Sequence, residues 1–260
     1  MHVNDGGYNA EAVTMLADRD YAAAGDTYAR AAWSVLAEPR DGLDTFDVGE
    51  RGYVGTALQE MLLSAVCYAV AGGSGGDERA ERRCDEGVAV SEDLAARAAP
   101  PQEACLREFA ADFRAVAGTG AGEAYDEAAE AYESAAPGIG TGTEDPASLS
   151  TTPLYRAAAA PVKQMARSID NGEIAVDWDD LHGSDPSDPA GFLRHRVRYK
   201  RKRLKTLFDG VVEDGYLAAP RGTTEYSNDN HRCPECGSED VNWVADSVLC
   251  LRCSSHMAEK

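Results

Sequence analysis

Helix-forming residues dominate the first half of the chain and constrain its fold more than any other feature. Between residues 8 and 136, alanine, glutamate, leucine and arginine recur, and clusters of turn-forming residues interrupt them at short intervals. This pattern predicts six helices, at 8–18, 20–37, 53–71, 77–98, 102–117 and 123–136. Because most of the connections are short, successive helices should pack as antiparallel hairpins. We therefore predict a mainly α fold built from antiparallel helical hairpins.

Two of these helices have similar sequences. The segments DYAAAGDTYARAA (20–32) and AYDEAAEAYESAA (124–136) align without gaps. Tyrosine or alanine occupies three equivalent positions in each: Tyr21, Ala24 and Tyr28, then Tyr125, Ala128 and Tyr132. These positions share one helical face, where small alanines let a neighbouring helix approach closely. We predict that all six residues pack against neighbouring helices.

This spacing of tyrosine and alanine resembles the second helix of a tetratricopeptide repeat. In each case the preceding helix would be the first half of the repeat, and 53–98 would be a divergent middle repeat without the tyrosines. The resemblance implies an array over residues 1–136 whose concave groove binds a protein partner. The alternative is an alanine-rich helical bundle in which two helices match by chance.

Near the end of the chain, CPECGSEDVNWVADSVLCLRC contains two Cys-x-x-Cys pairs separated by thirteen residues. Two intervening residues let the chain turn back, so that both sulfurs of a pair can face one ion. Four thiolates in two such turns form a closed tetrahedral zinc site, with no position left for water or substrate. The sequence therefore predicts one structural Zn²⁺, with ligands Cys233, Cys236, Cys250 and Cys253.

The residues between the two pairs predict a β-hairpin, because Val241, Trp243 and Val248 lie in short extended runs around a polar turn. The CPxCG opening resembles the zinc-ribbon superfamily. Trp243 would either cover the metal site or stack on a nucleic-acid base. His231 and His256 flank the motif as candidate additional ligands or as exposed residues, since four cysteines already suffice.

A strongly basic stretch, RHRVRYKRKRLK, precedes this motif in a chain with 25 basic and 45 acidic residues. Asp188 and Pro189 form a helix-start signal, and the apolar residues between Leu193 and Val211 gather on one side of a helical wheel. The stretch is therefore predicted to be the charged side of an amphipathic helix. Its eight cations are Arg194, Arg196, Arg198, Lys200, Arg201, Lys202, Arg203 and Lys205.

Three kinds of surface are compatible with this charged side: nucleic-acid phosphates, acidic protein and an anionic membrane. Nucleic acid is favoured, because arginine can bind phosphate in a bidentate fashion and zinc ribbons often serve the same purpose. Acidic protein, either this chain's own array or a partner, is the second possibility. The modest apolar side without tryptophan argues against a membrane.

The amino-acid composition indicates the kind of cell and compartment in which the protein works. A net charge of -20 with only five lysines resembles proteins of salt-loving archaea, in which acidic residues keep the surface hydrated. No run of 18 apolar residues and no signal peptide is found, so we expect a cytoplasmic location. The isolated Cys67, Cys84 and Cys105 are expected to be small buried residues in a reducing compartment.

No phosphate loop, nucleophile elbow or histidine-rich metal pattern is found, so the sequence indicates a protein that is not an enzyme. We expect an adaptor that binds a protein partner through the array, and nucleic acid or ribonucleoprotein through the basic helix and zinc ribbon. The alternative is a protein-interaction scaffold whose basic helix and ribbon pack on its own acidic array. The predicted units are the array (1–136), a linker with a capping helix (137–188), the basic helix (189–217) and the ribbon (228–260).

Overall fold

The computed structural model describes residues 7–37, 53–138, 146–173 and 176–260. The mainly helical fold is confirmed, and all six helices predicted in the first half are present within a few residues of their expected ends. The α-helices of these residues are α1 (Tyr8–Ala17), α2 (Tyr21–Ala37), α3 (Tyr53–Ala71), α4 (Gly73–Ala95), α5 (Pro100–Ala117), α6 (Ala121–Ala135), α7 (Pro146–Ser150), α8 (Pro153–Ile169), α9 (Trp178–His182) and α10 (Pro189–Glu213). A 3₁₀ turn, Ala136–Gly138, follows α6.

Helices α1 to α6 pack in order, each against the next along the chain, as the short connections predict. Close approach depends on small residues. A Cβ added at Gly25 of α2 would lie 2.7 Å from the ring of Tyr68 on α3. In addition, the Ser64 hydroxyl donates a 2.7 Å hydrogen bond to the Gly25 carbonyl. Small residues on the facing sides of α2 and α3 therefore allow the two helices to approach closely, as was expected for alanine.

The six tyrosines and alanines predicted to pack in α2 and α6 are all buried. Cys67, Cys84 and Cys105 are buried as well, and burial raises the pKa of each thiol above its ordinary value. The core that contains these residues is continuous from α1 to α10.

Helix α3 lies at the centre of the fold, in contact with α2, α4, α5, α8 and α10. Among the described residues it alone is long and apolar enough to cross a membrane, by length and composition. In the fold, however, 83% of its most apolar stretch is buried against the rest of the protein. This burial identifies α3 as a core helix.

Helices α8 and α10 pack across α3 and α5, the first helices of the second and third predicted repeats. The contact between α3 and α8 is tight, because a Cβ added at Gly55 would lie 2.8 Å from the Cα of Leu154. This face of the first six helices is therefore covered by α8 and α10.

Helices α8 and α10 both begin at a proline, but of the two only α10 has a side-chain N-cap. Asp188 caps α10, since its Oδ1 accepts a 2.9 Å hydrogen bond from the Gly191 amide. Helix α8 begins at Pro153, and the Thr152 hydroxyl that precedes it donates to the Leu149 carbonyl at 2.8 Å and makes no cap hydrogen bond. Pro161 lies inside α8 without ending it.

Short antiparallel strands follow α10. They form a three-stranded sheet in the order β1-β3-β4 and a two-stranded sheet of β2 and β5. The strands are β1 (Thr223–Glu225), β2 (His231–Arg232), β3 (Val241–Val244), β4 (Ser247–Cys250) and β5 (Ala258–Glu259). The predicted hairpin is β3–β4, and its two turn residues, Ala245 and Asp246, have φ angles of 48° and 62°. Two positive φ angles are typical of the tight turn that matches strand twist.

Candidate metal centre and basic helix

We refer to residues 228–260 as the cysteine module. Its two Cys-x-x-Cys pairs adopt the same backbone turn: the Gly237 amide donates to the Cys233 carbonyl at 3.0 Å, and the Ser254 amide donates to the Cys250 carbonyl at 2.9 Å. Gly237 and Ser254 both have positive φ, at 75° and 58°. The amide of the first cysteine in each pair also bonds to a serine carbonyl five residues later, at 2.8 Å in both cases. The module therefore contains two matching loops that face each other.

The four sulfurs lie within 4.8 Å of one another, as in a metal site. The Sγ–Sγ distance is 3.5 Å for Cys233 and Cys253, 3.5 Å for Cys236 and Cys250, and 3.6 Å for Cys236 and Cys253. Sulfurs held about 2.3 Å from a tetrahedral ion would stand about 3.8 Å apart. The donor set therefore fits one ion with all four positions filled by protein.

The neighbouring aromatic residues are not part of this sulfur group. His256 Nε2 lies 3.3 Å from Asp18 Oδ1, and His231 Nδ1 lies 3.1 Å from Asn228 Oδ1. The His231 ring also meets the ring of Trp243 edge-on, with 5.3 Å between the centroids. Trp243 is 36% exposed on β3, so only part of its surface is used in packing.

The cysteine module packs directly on the helical part of the protein. Arg19, just after α1, donates a 2.8 Å hydrogen bond to the Cys253 carbonyl, and the apolar side chains of Val13 and Leu249 share a buried cluster. One surface of the module is therefore covered by α1.

Arg167, near the end of α8, joins the same interface. Its guanidinium is buried and donates to the carbonyls of Gly172, Ala219 and Leu251, the last at 2.8 Å. Gly172 lies so close to the module that an added Cβ would be 1.9 Å from the Leu251 oxygen. Arg167 could not be identified from the sequence, because nothing in its local sequence distinguishes it from a surface residue of α8.

Two cations of the basic stretch point into the protein. Arg196 and Lys200 are each 1% exposed, and they meet two carboxylates of α5. Arg196 donates to both oxygens of Glu108 at 2.7 Å, while Lys200 donates to Asp112 and lies 2.7 Å from Glu108. We call these four residues the buried ionic cluster. The helical wheel placed Arg196 on the charged side away from the core, and this placement is wrong.

Two of the matched tyrosines complete the cluster. Tyr125 donates to Asp112 at 2.7 Å, and Tyr132 donates to Glu108 at 2.9 Å, so both tyrosines bond as well as pack. Although burial favours the neutral acid, Arg196 and Lys200 hold the pKa of Glu108 at about 2. For Asp112, burial outweighs Lys200 and raises the pKa to about 6.

The other cations of α10 lie at or near the surface. Arg194 pairs with Glu133 at 2.8 Å and Arg201 with Asp126 at 2.9 Å, both on α6. Lys205 pairs with an acid one turn further along α10, and Arg203 hydrogen-bonds to a tyrosine one turn before it. Within the described part of the chain, exposed Arg198 and Lys202 have no carboxylate partner. Five of the eight cations therefore pair with the protein's own acids.

Glu108 and Asp112 were missed in the sequence, although a signal was present. They are four residues apart on α5, as Arg196 and Lys200 are on α10, so each pair lies on one helical face. Because the two spacings match, each carboxylate of α5 can lie beside one cation of α10.

The fold and the site together define the class of protein, a set of packed helices joined to a module whose four cysteines could hold a metal ion. Comparison of the chain with protein-family models, with curated proteins and with solved structures finds no match. The fold and the site geometry are therefore the grounds on which a function is proposed.

Proposed function

We propose that the protein is a non-enzymatic interaction scaffold, in which the basic helix and the cysteine module serve the chain's own fold. The observation that carries this proposal is the buried ionic cluster. Arg196 and Lys200 are in the core against Glu108 and Asp112, so they are unavailable to an external phosphate. Buried charges must be paired, and this pairing fixes α10 against α5.

The helices form a tetratricopeptide-like array in this proposal, but its partner does not enter a groove lined by α3 and α5. Those helices are covered by α8 and α10. A protein partner would instead bind the outer surface, where α4 buries only one narrow face and exposes the remainder. In this proposal the groove between α3 and α5 is therefore filled by the chain's own helices and does not bind a partner.

The metal in the proposal is one structural Zn²⁺. Four thiolates in tetrahedral arrangement suit zinc, and no open position remains for catalysis. The module would then be a zinc ribbon. Reduced, buried cysteines in the helices fit a reducing compartment, which favours the cytoplasm. The acidic surface would keep the protein hydrated in a salt-rich cell.

Nucleic-acid binding is a second candidate function, and a specific observation favours it. Arg198 and Lys202 are four residues apart on α10, exposed, and free of carboxylate partners in the described structure. Exposed Arg201 and Lys205 lie beside them, although both make ion pairs. Weak surface pairs of this kind contribute less than about 1 kcal/mol, so phosphate could displace them.

Binding of fluorescent single-stranded RNA and duplex DNA to the full chain at low salt separates these functions. The scaffold proposal expects no binding and a 260/280 nm absorbance ratio typical of clean protein. Binding that is lost in Arg198→Glu with Lys202→Glu, but kept in Arg97→Glu in the turn after α4, would contradict the scaffold and establish the second function. Arg97 is a suitable control because it is also a surface arginine with one acidic neighbour.

A second experiment tests the protein-partner half of the proposal. Affinity purification of the tagged full chain at native salt should recover the same protein partner before and after nuclease treatment. The partner should also be recovered with the Arg198→Glu, Lys202→Glu variant. Loss of the partner on nuclease treatment would contradict the scaffold.

A further inference from the structure

A cavity of about 450 Å³ lies between α3, α8, α9 and the segment that precedes β1. We call it the cationic pocket. Its lining includes Gln59, Lys163, Arg167, Trp178, Pro220 and Arg221. The volume falls in the range of small-molecule sites, roughly 300–1,000 Å³.

Three cations line this pocket, and none of them has a carboxylate partner in the described structure. Lys163 and Arg167 lie four residues apart on α8, and Arg167 bonds only to backbone carbonyls. Arg221 uses one nitrogen to donate to the Tyr226 hydroxyl at 3.1 Å, but its Nη1 is buried without any hydrogen-bond partner. The protein therefore does not satisfy all the donors of this guanidinium, and a ligand in the pocket would reach its other nitrogens.

The two carboxylates at the pocket are engaged elsewhere. Glu173 pairs with Arg252 of the cysteine module, and Asp177 accepts from the Asp180 amide at 2.9 Å as the cap of α9. The lining has three cations and two carboxylates, a net charge of +1, in a chain whose net charge is -20. Burial lowers the pKa of Arg167; the nearby Tyr216 opposes this shift, and the charge of Arg221 adds to it.

One wall of the pocket is aromatic and apolar. Trp178 is 42% exposed, and its ring stacks on His182 with 3.9 Å between centroids, which fixes its orientation. Val176 and Pro220 extend this wall. The pocket therefore combines positive charge with a flat apolar surface.

We propose that the cationic pocket binds a small phosphate-bearing molecule, with the phosphate at Lys163, Arg167 and Arg221 and a planar group along Trp178. A phosphate dianion matches a site lined by three cations better than a monovalent carboxylate does, and its oxygens can accept from the ammonium and guanidinium groups that line the pocket. This proposal is independent of the scaffold function, because the pocket lies apart from Arg198 and Lys202.

Calorimetric titration of the full, zinc-loaded chain with AMP, inorganic phosphate and adenosine tests the proposal. AMP should bind most tightly, because it alone offers both the phosphate and the planar ring. Lys163→Gln and Arg221→Gln should each weaken AMP binding about tenfold, the effect of losing one charged hydrogen bond. Arg156→Gln, an exposed position on α8 outside the pocket, should leave binding unchanged.

Trp178→Leu tests the aromatic wall separately, and it should reduce AMP affinity to that of inorganic phosphate. Equal affinity of the wild type for AMP and phosphate would overturn the role of Trp178. Absence of binding by both compounds, or equal weakening in the Arg156 and Lys163 variants, would overturn the site itself. Because Lys163 is exposed, the Lys163→Gln variant should fold, and a loss of AMP binding in it can be assigned to the pocket.

Discussion

At the scale of single residues, the most consequential feature is that two cations of a basic run turn inward. Arg196 and Lys200 meet Glu108 and Asp112 in a core whose other buried side chains are mostly apolar. Taking charges out of water is costly unless each finds its counter-charge and its hydrogen bonds. Because the cluster is complete only when α10 lies across α5, it specifies how these helices dock.

The first prediction concerns Glu108. Glu108→Gln keeps the size of the side chain but leaves Arg196 buried without its counter-charge, so we expect a loss of about 3–5 kcal/mol in the free energy of unfolding. Urea denaturation followed by circular dichroism measures this loss. Glu103→Gln on the same helix breaks only a surface pair with Arg107, and it should cost less than about 1 kcal/mol. Similar losses in both variants would contradict a buried cluster.

The second prediction concerns pH. The pKa of Asp112 is raised to about 6 in the folded protein, above its ordinary value, so the folded state holds this proton more tightly than the unfolded state. Its contribution to stability is therefore present at low pH and is lost as pH rises through 6. The pKa of Glu108 is lowered to about 2 in the folded protein. Its contribution to stability is therefore present at neutral pH and is lost as pH falls below the ordinary pKa of a glutamate, toward 2.

Asp112→Asn should therefore abolish the decline in stability between pH 4 and pH 6, because the amide resembles the protonated acid. Urea unfolding of wild type and variant at several pH values between these limits measures the difference, in which pH effects common to both proteins cancel. Parallel pH profiles for the two proteins would show that Asp112 does not titrate in this range.

At the scale of elements, local sequence was enough to place the helices but not to orient them. Helix-forming runs and the Asp188–Pro189 start signal located α10, because these depend on neighbours in the chain. A helical wheel measures only the apolar moment, so it could not show that Arg196 would find a carboxylate from 88 residues away. The four-cysteine site was predictable because the two-residue spacing within each Cys-x-x-Cys pair places both sulfurs of that pair on the same side of a turn. The docking of the module through Arg167 involves partners distant in sequence.

The third prediction concerns the metal. Elemental analysis should find about one zinc per chain, and a chelator should unfold the cysteine module while the helices persist. A module of this size cannot fold on its own core, and zinc contributes about 10–16 kcal/mol in comparable peptides. Nuclear magnetic resonance spectra should show loss of dispersed signals from the module only.

Matched cysteine variants control this measurement. Cys253→Ser should lose most of the bound zinc, whereas Cys67→Ala, in the core of α3, should retain it. Zinc retained in the Cys253 variant, or an unaltered module after complete chelation, would contradict the assigned ligand set.

At the scale of the whole molecule, several cations are buried in the interior, while many of the acidic residues lie on the surface. Cations are used for internal docking, in the ionic cluster and at Arg167, while α6 exposes Glu123, Glu127 and Glu130. A net charge of -20 opposes the compact state through repulsion between surface acids. Salt should relieve that repulsion, since the screening length falls from about 10 Å at 0.1 M to about 3 Å at 1 M.

The fourth prediction is that the thermal unfolding midpoint rises by several degrees between 0.1 M and 2 M KCl. Replacing the three exposed glutamates of α6 by glutamine should raise the midpoint at low salt and reduce the salt dependence, because less repulsion remains to be screened. Differential scanning calorimetry measures both effects. A midpoint that does not change with salt would contradict a surface whose acids repel one another.

The central claim is that the basic helix is part of the core and not an appended arm. Hydrogen–deuterium exchange of the full, zinc-loaded chain tests it most directly, because exchange reports the opening free energy of each helix. The account predicts that the amides of α10 between Arg196 and Phe208 are as strongly protected as those of α5, and that Glu108→Gln weakens both together. Exchange in α10 that is orders of magnitude faster than in α5 would contradict it.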